Sequence, residues 1–356
     1  MNKLLTTALI ILLSMPAHAV TLKIATVTPE GSQWMDDMRA SSKEIEERTE
    51  GRVKIKYYGG GVMGNDQKVL SRIRLRSLQG GAFTPTALVS QYADLNLYGL
   101  PMVFDSEEEA AYARSRLDER LSTGLEEAGW VNFGFAAGGF AILMSNTPIT
   151  KLDDLRGKKV WIPEGDTISR QSMEALSLTP VSLPLTDVLT GLQTGLLDIV
   201  AMSPVGALVL QWHTKIKYVT EIPLVYTLGF MAIDKRAFDK ISAADQAIVR
   251  EVMERTYRNF DEQNLIDNHK AFDALLNAGI ESVPIDMDEY KKVREALLQS
   301  TEAGPQAEGP AAAAVFQMDA GSDEYYVMMV AESEKAYRAN SERPDMHEAY
   351  LERLQW

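Results

Sequence analysis

The chain has 356 residues, 46% of them hydrophobic and 24% charged, with no cysteine. That length can bury two ordinary cores, and the composition excludes a disordered or membrane-embedded chain. A formal net charge of −14 repels phosphate backbones, so nucleic acid is a poor partner, while the missing thiols exclude disulfides, thiolate metal sites and an acylated lipoprotein anchor.

Residues 1–19 read MNKLLTTALIILLSMPAHA. Lys3 supplies a positive start, Leu4 to Met15 a mostly apolar run, and Ala17-His18-Ala19 a small-x-small cleavage site. The run is short for a hydrocarbon core of ~30 Å. A signal peptide cut after Ala19 is therefore expected, delivering the mature chain to the periplasm.

Beyond Ala19, short apolar strands alternate with amphipathic helices, which predicts α/β lobes built on parallel sheets. Thr21 to Val27 reads as a strand, Trp34 to Thr49 as a helix, Val53 to Tyr58 as a strand and Asp66 to Leu78 as a helix. Gly81 to Thr84 is short and tight. Ser106 with Glu109 forms a capping box for the next helix. A turn and the strand Lys159 to Ile162 follow within Leu152 to Pro163. Thr186 is read as the cap of a helix reaching Thr194, with Gly195 as its stop and Leu196 to Met202 as a buried strand. Ser242 and Asp245 open the longest periodic segment, which ends near Asn277. Ser300 to Ala314 is Pro-, Gly- and Ala-rich and reads as a linker, with a final helix from Asp323 to Ala339.

Motifs for catalysis are weak. Gly59 to Gly64 fits G-x-G-x-x-G, but no acid between Asp66 and Asp94 could hold a ribose, so a glycine-rich turn is the better reading than a nucleotide loop. There is no G-x-S-x-G elbow, and His347-Glu348 lacks the second histidine of a zinc protease. His18, His213, His269 and His347 are too scattered to ligate a metal. Arg72 and Arg76 share one helix face that reads as solvated surface. Neither catalytic residues, nor a metal, nor a cofactor is expected, and the chain does not read as an enzyme.

Leu192-Gln193-Thr194-Gly195-Leu196-Leu197-Asp198 resembles the LQTGxxD element of TRAP-transporter solute-binding proteins, the DctP-like family. Glu46 to Val53, the Gly59 to Gly64 turn, Leu100-Pro101-Met102-Val103-Phe104, Ser145 to Ile149 and Asp154 to Lys159 resemble further family motifs in the same order. The resemblance implies a two-lobe periplasmic-binding-protein flytrap with crossing segments and long connecting helices. The lobes are expected at 20–138 plus 227–266 and at 139–226 plus 267–299, with 300–356 as linker and C-terminal helix. It also implies a small-molecule ligand between the lobes and a membrane permease as partner.

The family commonly grips a carboxylate with an arginine on the strand after D-L-x-G-x-K, a bidentate geometry that lysine cannot copy. Here that position is Trp161. A second arginine position falls on Ala141, and an Asn position on Met202. Val27, Phe83 and Pro85 occupy positions that hold polar ligand contacts in sialic-acid-binding members. Trp34, Thr84, Phe140, Leu185 and Tyr226 complete the expected ligand contacts. An apolar pocket closed on an unpaired anion would cost several kcal/mol. The expectation is therefore a neutral or hydrophobic ligand, as in the subset of the family associated with tetratricopeptide-repeat partners. The alternative is an organic acid held by a relocated cation, with Arg170 the best candidate. A periplasmic ligand sensor and a lipid shuttle are further readings compatible with the same fold.

Overall fold

The structure is a computed structural model that describes residues 19–104 and 106–302. Residues 1–18 of the expected signal peptide, and the expected helix Asp323 to Ala339, lie outside the described residues.

The first elements are β1 (Val20–Ala25), α1 (Gln33–Arg48), β2 (Val53–Tyr58), α2 (Asp66–Arg74) and β3 (Gly80–Phe83). Then come α3 (Glu107–Glu127), β4 (Trp130–Asn132) and β5 (Ala136–Ser145). The middle of the chain forms β6 (Trp161–Pro163), α4 (Thr167–Ala175), β7 (Val181–Leu183), α5 (Val188–Thr194), β8 (Ile199–Met202) and α6 (Pro204–Val209). It closes with β9 (Tyr218–Asp234), α7 (Lys235–Phe238), α8 (Ala243–Asn277), β10 (Glu281–Val283) and α9 (Met287–Glu302).

Local chemistry explains most helix starts. Ser32, Asn65, Ser106, Asp166 and Ser242 each accept a backbone N–H of the first turn, satisfying donors that a helix leaves unpaired. Thr186 departs from the prediction. It lies in a short 3-10 turn, Leu185–Asp187, and its hydroxyl donates to Asp187 instead of capping α5. Gly195 stops α5 as expected, in the left-handed region at φ 70°. The helix after Asn65 ends at Arg74, four residues early, because Arg76 turns to φ 61°. Helix α9 runs to Glu302 and so enters the segment read as a linker from Ser300; the rest of that segment is outside the described residues.

The main sheet runs β2-β1-β3-β9-β5-β8, with β4 and β10 also pairing β9. The sheet is mixed, not all parallel. Strands β1, β2 and β3 are parallel, whereas β9 is antiparallel to β3, β4 and β5. The reason is β9 itself, which runs through both lobes. Its end from Phe230 pairs β3 and β4, its start at Tyr218 to Thr220 pairs β10, and β5 accompanies it along most of its length. Strands β6 and β7 form a separate parallel pair. The alternation rule could not find β5, because it is buried along nearly its whole length and lacks a polar face.

Helix α8 spans 35 residues, about 50 Å at 1.5 Å per residue, and links the lobes along one side. Buried polar groups fix it there. Thr256 meets the Ser41 hydroxyl on α1 at 2.7 Å, and Asn264 Nδ2 donates to the Ala137 carbonyl at 2.9 Å. Asn268 donates to the Gly138 carbonyl and accepts from the Val205 N–H at 3.1 Å. Gly139, at φ 77°, lies where any Cβ would strike the Asn268 amide. Below these bonds, apolar clusters fill each lobe, and their burial at ~25 cal/mol per Å² is the main stabilising term.

Candidate functional site

The lobes approach each other over the C-terminal ends of β1 and β3. The Gly59 to Gly64 turn leaves β2 and folds back on β1, with Gly61 N–H donating to the Thr26 carbonyl at 3.0 Å. Gly61 sits at φ 70°, and a Cβ there would come within 2.9 Å of the Thr186 methyl from the opposite lobe. The turn is a point of close approach between the lobes.

Two more contacts cross the mouth. Asn65 Nδ2 donates to Glu164 Oε2 at 2.8 Å. Ile168, near the start of α4, is 3% exposed and packs in the cluster that holds Ala25, Val69 and Phe83. Beside the glycine-rich turn lies a cavity of ≈ 10 Å³ lined by Val27, Met63, Asp66 and Phe83, among others, all within residues 25–83. That is room for about one water. The lobes thus touch at Asn65–Glu164, at Gly61–Thr186 and through Ile168.

The expected ligand contacts fall into several groups. Phe83, Phe140 and Tyr226 share the cluster that receives Ile168. Phe140 and Tyr226 are register partners across β5 and β9, with ring centroids 5.2 Å apart at 73°. Burial pushes the Tyr226 hydroxyl up to about 12. Val27 joins Phe83 on the cavity wall, Pro85 is half-buried, and Thr84 is exposed with its hydroxyl 3.2 Å from that of Thr86.

Trp161, Leu185 and Met202 belong to a second cluster, inside the lobe that carries β8. Trp161 is 6% exposed and stands edge-on to Trp212, 5.3 Å between centroids. Its indole N–H donates to the Leu183 carbonyl at 2.9 Å, and the same oxygen accepts the Glu164 backbone N–H at 3.2 Å. The residue at the expected clamp position therefore braces the segment that reaches across the mouth. Ala141 is buried on β5, facing Val225 of β9. Trp34 stands apart from both groups. It packs on a third cluster and donates its indole N–H to Asn264 Oδ1 at 2.8 Å. Arg170 is exposed. It lies two positions from Ile168, about 200° round the helix, whereas Ile168 and Ser172 mark the buried face.

The arginine buried among the described residues is Arg114, which sequence reasoning did not single out. Four of its five N–H donors are committed: Nη1 donates to Asp261 at 2.6 Å, Nε and Nη2 to Asp118, and Nη2 to the Phe135 carbonyl at 3.0 Å. Asp118 also accepts from the Tyr98 hydroxyl at 2.7 Å. Burial raises the Asp118 carboxyl, with Arg114 opposing. This network holds two helices together and reads as a rivet between them.

Asp66, Glu164 and Ile168 were also missed as a group. Their signals were local: a helix cap at Asn65, and a Glu-Gly-Asp turn before α4. Nothing in a sequence window joins positions a hundred residues apart. Burial, with the Glu164 charge adding to it, pushes the Asp66 carboxyl up to about 6. Among the described residues, no group of His, Asp and Glu side chains could hold a metal ion.

A family model described as DctP, bacterial extracellular solute-binding protein family 7, matches residues 24–304. The C4-dicarboxylate-binding periplasmic protein DctP of Rhodobacter capsulatus is 26% identical over 286 residues, 77% of this chain and 83% of the relative. An uncharacterized protein, YiiZ, of Salmonella typhimurium is 24% identical over 199 residues, 55% of this chain. The chain spans 61% of the length of that relative. A TRAP periplasmic solute-binding protein from Ochrobactrum anthropi, with its C-terminus bound in its ligand-binding pocket, has a similar structure. The TM-score is 0.73 at 21% identity, covering 92% of this chain and 98% of that one.

Proposed function

The chain belongs to bacterial extracellular solute-binding protein family 7, and from that premise we propose that it is the ligand-capturing subunit of a TRAP-type secondary transporter. It takes a small molecule between its lobes outside the cytoplasm and presents the closed form to a membrane permease. The periplasm is its compartment, after cleavage behind Ala19. Residues 20–138 with 227–266 make one lobe and 139–226 with 267–299 the other.

The ligand class is neutral or largely apolar. One observation carries this: Trp161 stands where a carboxylate clamp is expected, with its N–H already committed to Leu183. The walls that meet at the mouth, Val27, Met63, Phe83 and Ile168, are apolar as well. Val27 and Phe83 form the ligand wall on one side, and Phe140, Ala141, Trp161, Leu185, Met202 and Tyr226 on the other. Trp34, Thr84 and Pro85 contribute at the margin. A periplasmic tetratricopeptide-repeat protein is a further partner consistent with an apolar cargo.

A second reading is favoured by the name of the Rhodobacter relative, which binds C4-dicarboxylates. It requires a relocated cation, and Arg170 would have to turn from its exposed position to supply it. Native mass spectrometry of the purified protein tests both. We expect a co-purified neutral or lipid-like molecule, and medium-chain lipids that raise the melting temperature where small carboxylates do not. Stabilisation by a carboxylate that disappears in Arg170→Ala would overturn the apolar reading.

A further inference from the structure

Helix α2 carries a charge opposite to that of the whole chain. No acid occurs from Gln67 to Ala93, yet Lys68, Arg72, Arg74 and Arg76 fall there, in a chain of net charge −14. All four are exposed, and their side chains make no hydrogen bond or ion pair among the described residues. On α1 and β2, by contrast, Arg39, Arg48 and Arg52 are paired with Glu30, Glu251 and Asp245. The sheet beside α2 adds to its basic face. Lys23 and Lys56 are register partners on β1 and β2. Two positions on from each, Ala25 and Tyr58 pack with Val69, Leu70 and Ile73 of α2. By the two-residue period of a strand, Lys23 and Lys56 stand on that same side of the sheet, and both are exposed. Apolar surface lies open there too. Leu75, just past α2, and Val62, in the glycine-rich turn before it, are 77% and 71% exposed, the highest values for large apolar side chains among the described residues. Like charges four apart, such as Lys68 and Arg72, repel each other, so this face gains from an anionic cover.

We propose that the α2 face is the docking site of the chain's own acidic C-terminal stretch, centred on residues 319–334. Residues 303–356 hold ten Asp and Glu against four Lys and Arg. Within 319–334 there are five acids and no base. There Asp323-Glu324 and then Glu332 and Glu334 bracket the apolar run from Tyr325 to Val330. That order is the complement of α2, where Arg72, Arg74 and Arg76 bracket Leu75. The stretch also starts from a suitable place. Tyr290 and Leu297 of α9 pack in one cluster with Leu176 and Leu178, just past the end of α4. The other end of α4 puts Ile168 among the α2 residues. The nine residues of α4 measure about 14 Å at 1.5 Å each, and residues 303–318 can reach up to about 50 Å when extended. On the two-lobe capture reading above, α9 belongs to one lobe and α2 to the other. The docked stretch therefore straps the mouth from outside and favours closure.

The absence of cysteine permits a direct test on the whole chain. Gln67 is exposed and shares a stripe of α2 with Arg74 and Leu75, seven and eight positions on. Lys43 is exposed on α1, which covers the other side of the sheet. Gln67→Cys with Ser333→Cys is equilibrated against glutathione at low salt and compared with Lys43→Cys with Ser333→Cys. The first pair should show an effective thiol concentration at least about tenfold higher, because docking adds to simple tethering. That excess should vanish in about 0.5 M NaCl, where screening cuts the reach of charge to a few ångström. It should vanish also in Arg72→Glu with Arg74→Glu, and return when Asp323→Lys and Glu324→Lys are added. Equal concentrations for the two pairs, or an excess indifferent to salt and to charge reversal, overturn the proposal. A disulfide formed between chains also overturns it and gives the face to a second copy. Binding to phosphatidylglycerol vesicles through Arg72 and Arg74, with no cysteine excess, overturns it in favour of a membrane. None of these readouts uses the solute, so a protein found to capture none would sink the proposed function and leave this contact standing.

Discussion

Arg114 Nη1 donates to Asp261 Oδ1 at 2.6 Å, joining the middle of α8 to α3. The same oxygen accepts the Ala137 N–H at 2.7 Å, so one carboxylate ties two helices to the start of β5. Replacing the cation with an apolar side chain strands two acids. Arg114→Met should cost about 3–5 kcal/mol, read from the urea midpoint, because unpaired buried charge is worse than none. A loss under about 1 kcal/mol would show the network to be dispensable.

Ile168 belongs to one lobe and is buried among residues of the other. Truncating it should weaken closure more than folding. Ile168→Ala should lower affinity for the co-purified ligand about 30-fold, equivalent to about 2 kcal/mol, with a small change in melting temperature. Equal losses in both would place Ile168 in a permanent core.

Trp161 packs on Trp212 and bonds to the Leu183 carbonyl. Trp161→Phe keeps a ring but loses the donor, while Leu183 still accepts from Glu164. The variant should lose about 1–2 kcal/mol in chemical denaturation. It should also loosen the β6–β7 pair, seen as faster amide exchange at Val181 and Glu164, which donate to carbonyls of that pair and its flank.

Arg52 beside Asp245 holds that carboxyl below the usual range, with Ser242 assisting. A depressed native value means stability that is present above the ordinary carboxylate range and lost as pH falls through the native one. Asp245→Asn should therefore be less stable than the parent at neutral pH and show a shallower acid limb in thermal melts between pH 7 and 3. Parallel pH profiles would refute the assignment.

The residues themselves determined the acidic, cysteine-free character, the helix starts at Asn65, Ser106 and Ser242, and the Gly195 stop. These are local effects, settled by a hydroxyl or amide within one turn of the N–H it accepts. The motifs in register carried the family and its two-lobe fold. What tertiary structure alone decided is the company each residue keeps. Trp161 and Phe83 sit in different apolar clusters, Arg170 turns to solvent, and Asn65 meets Glu164 only because the lobes fold together. No window of sequence carries that last relationship, since it depends on the long strand β9 and helix α8, which place distant loops face to face across one mouth.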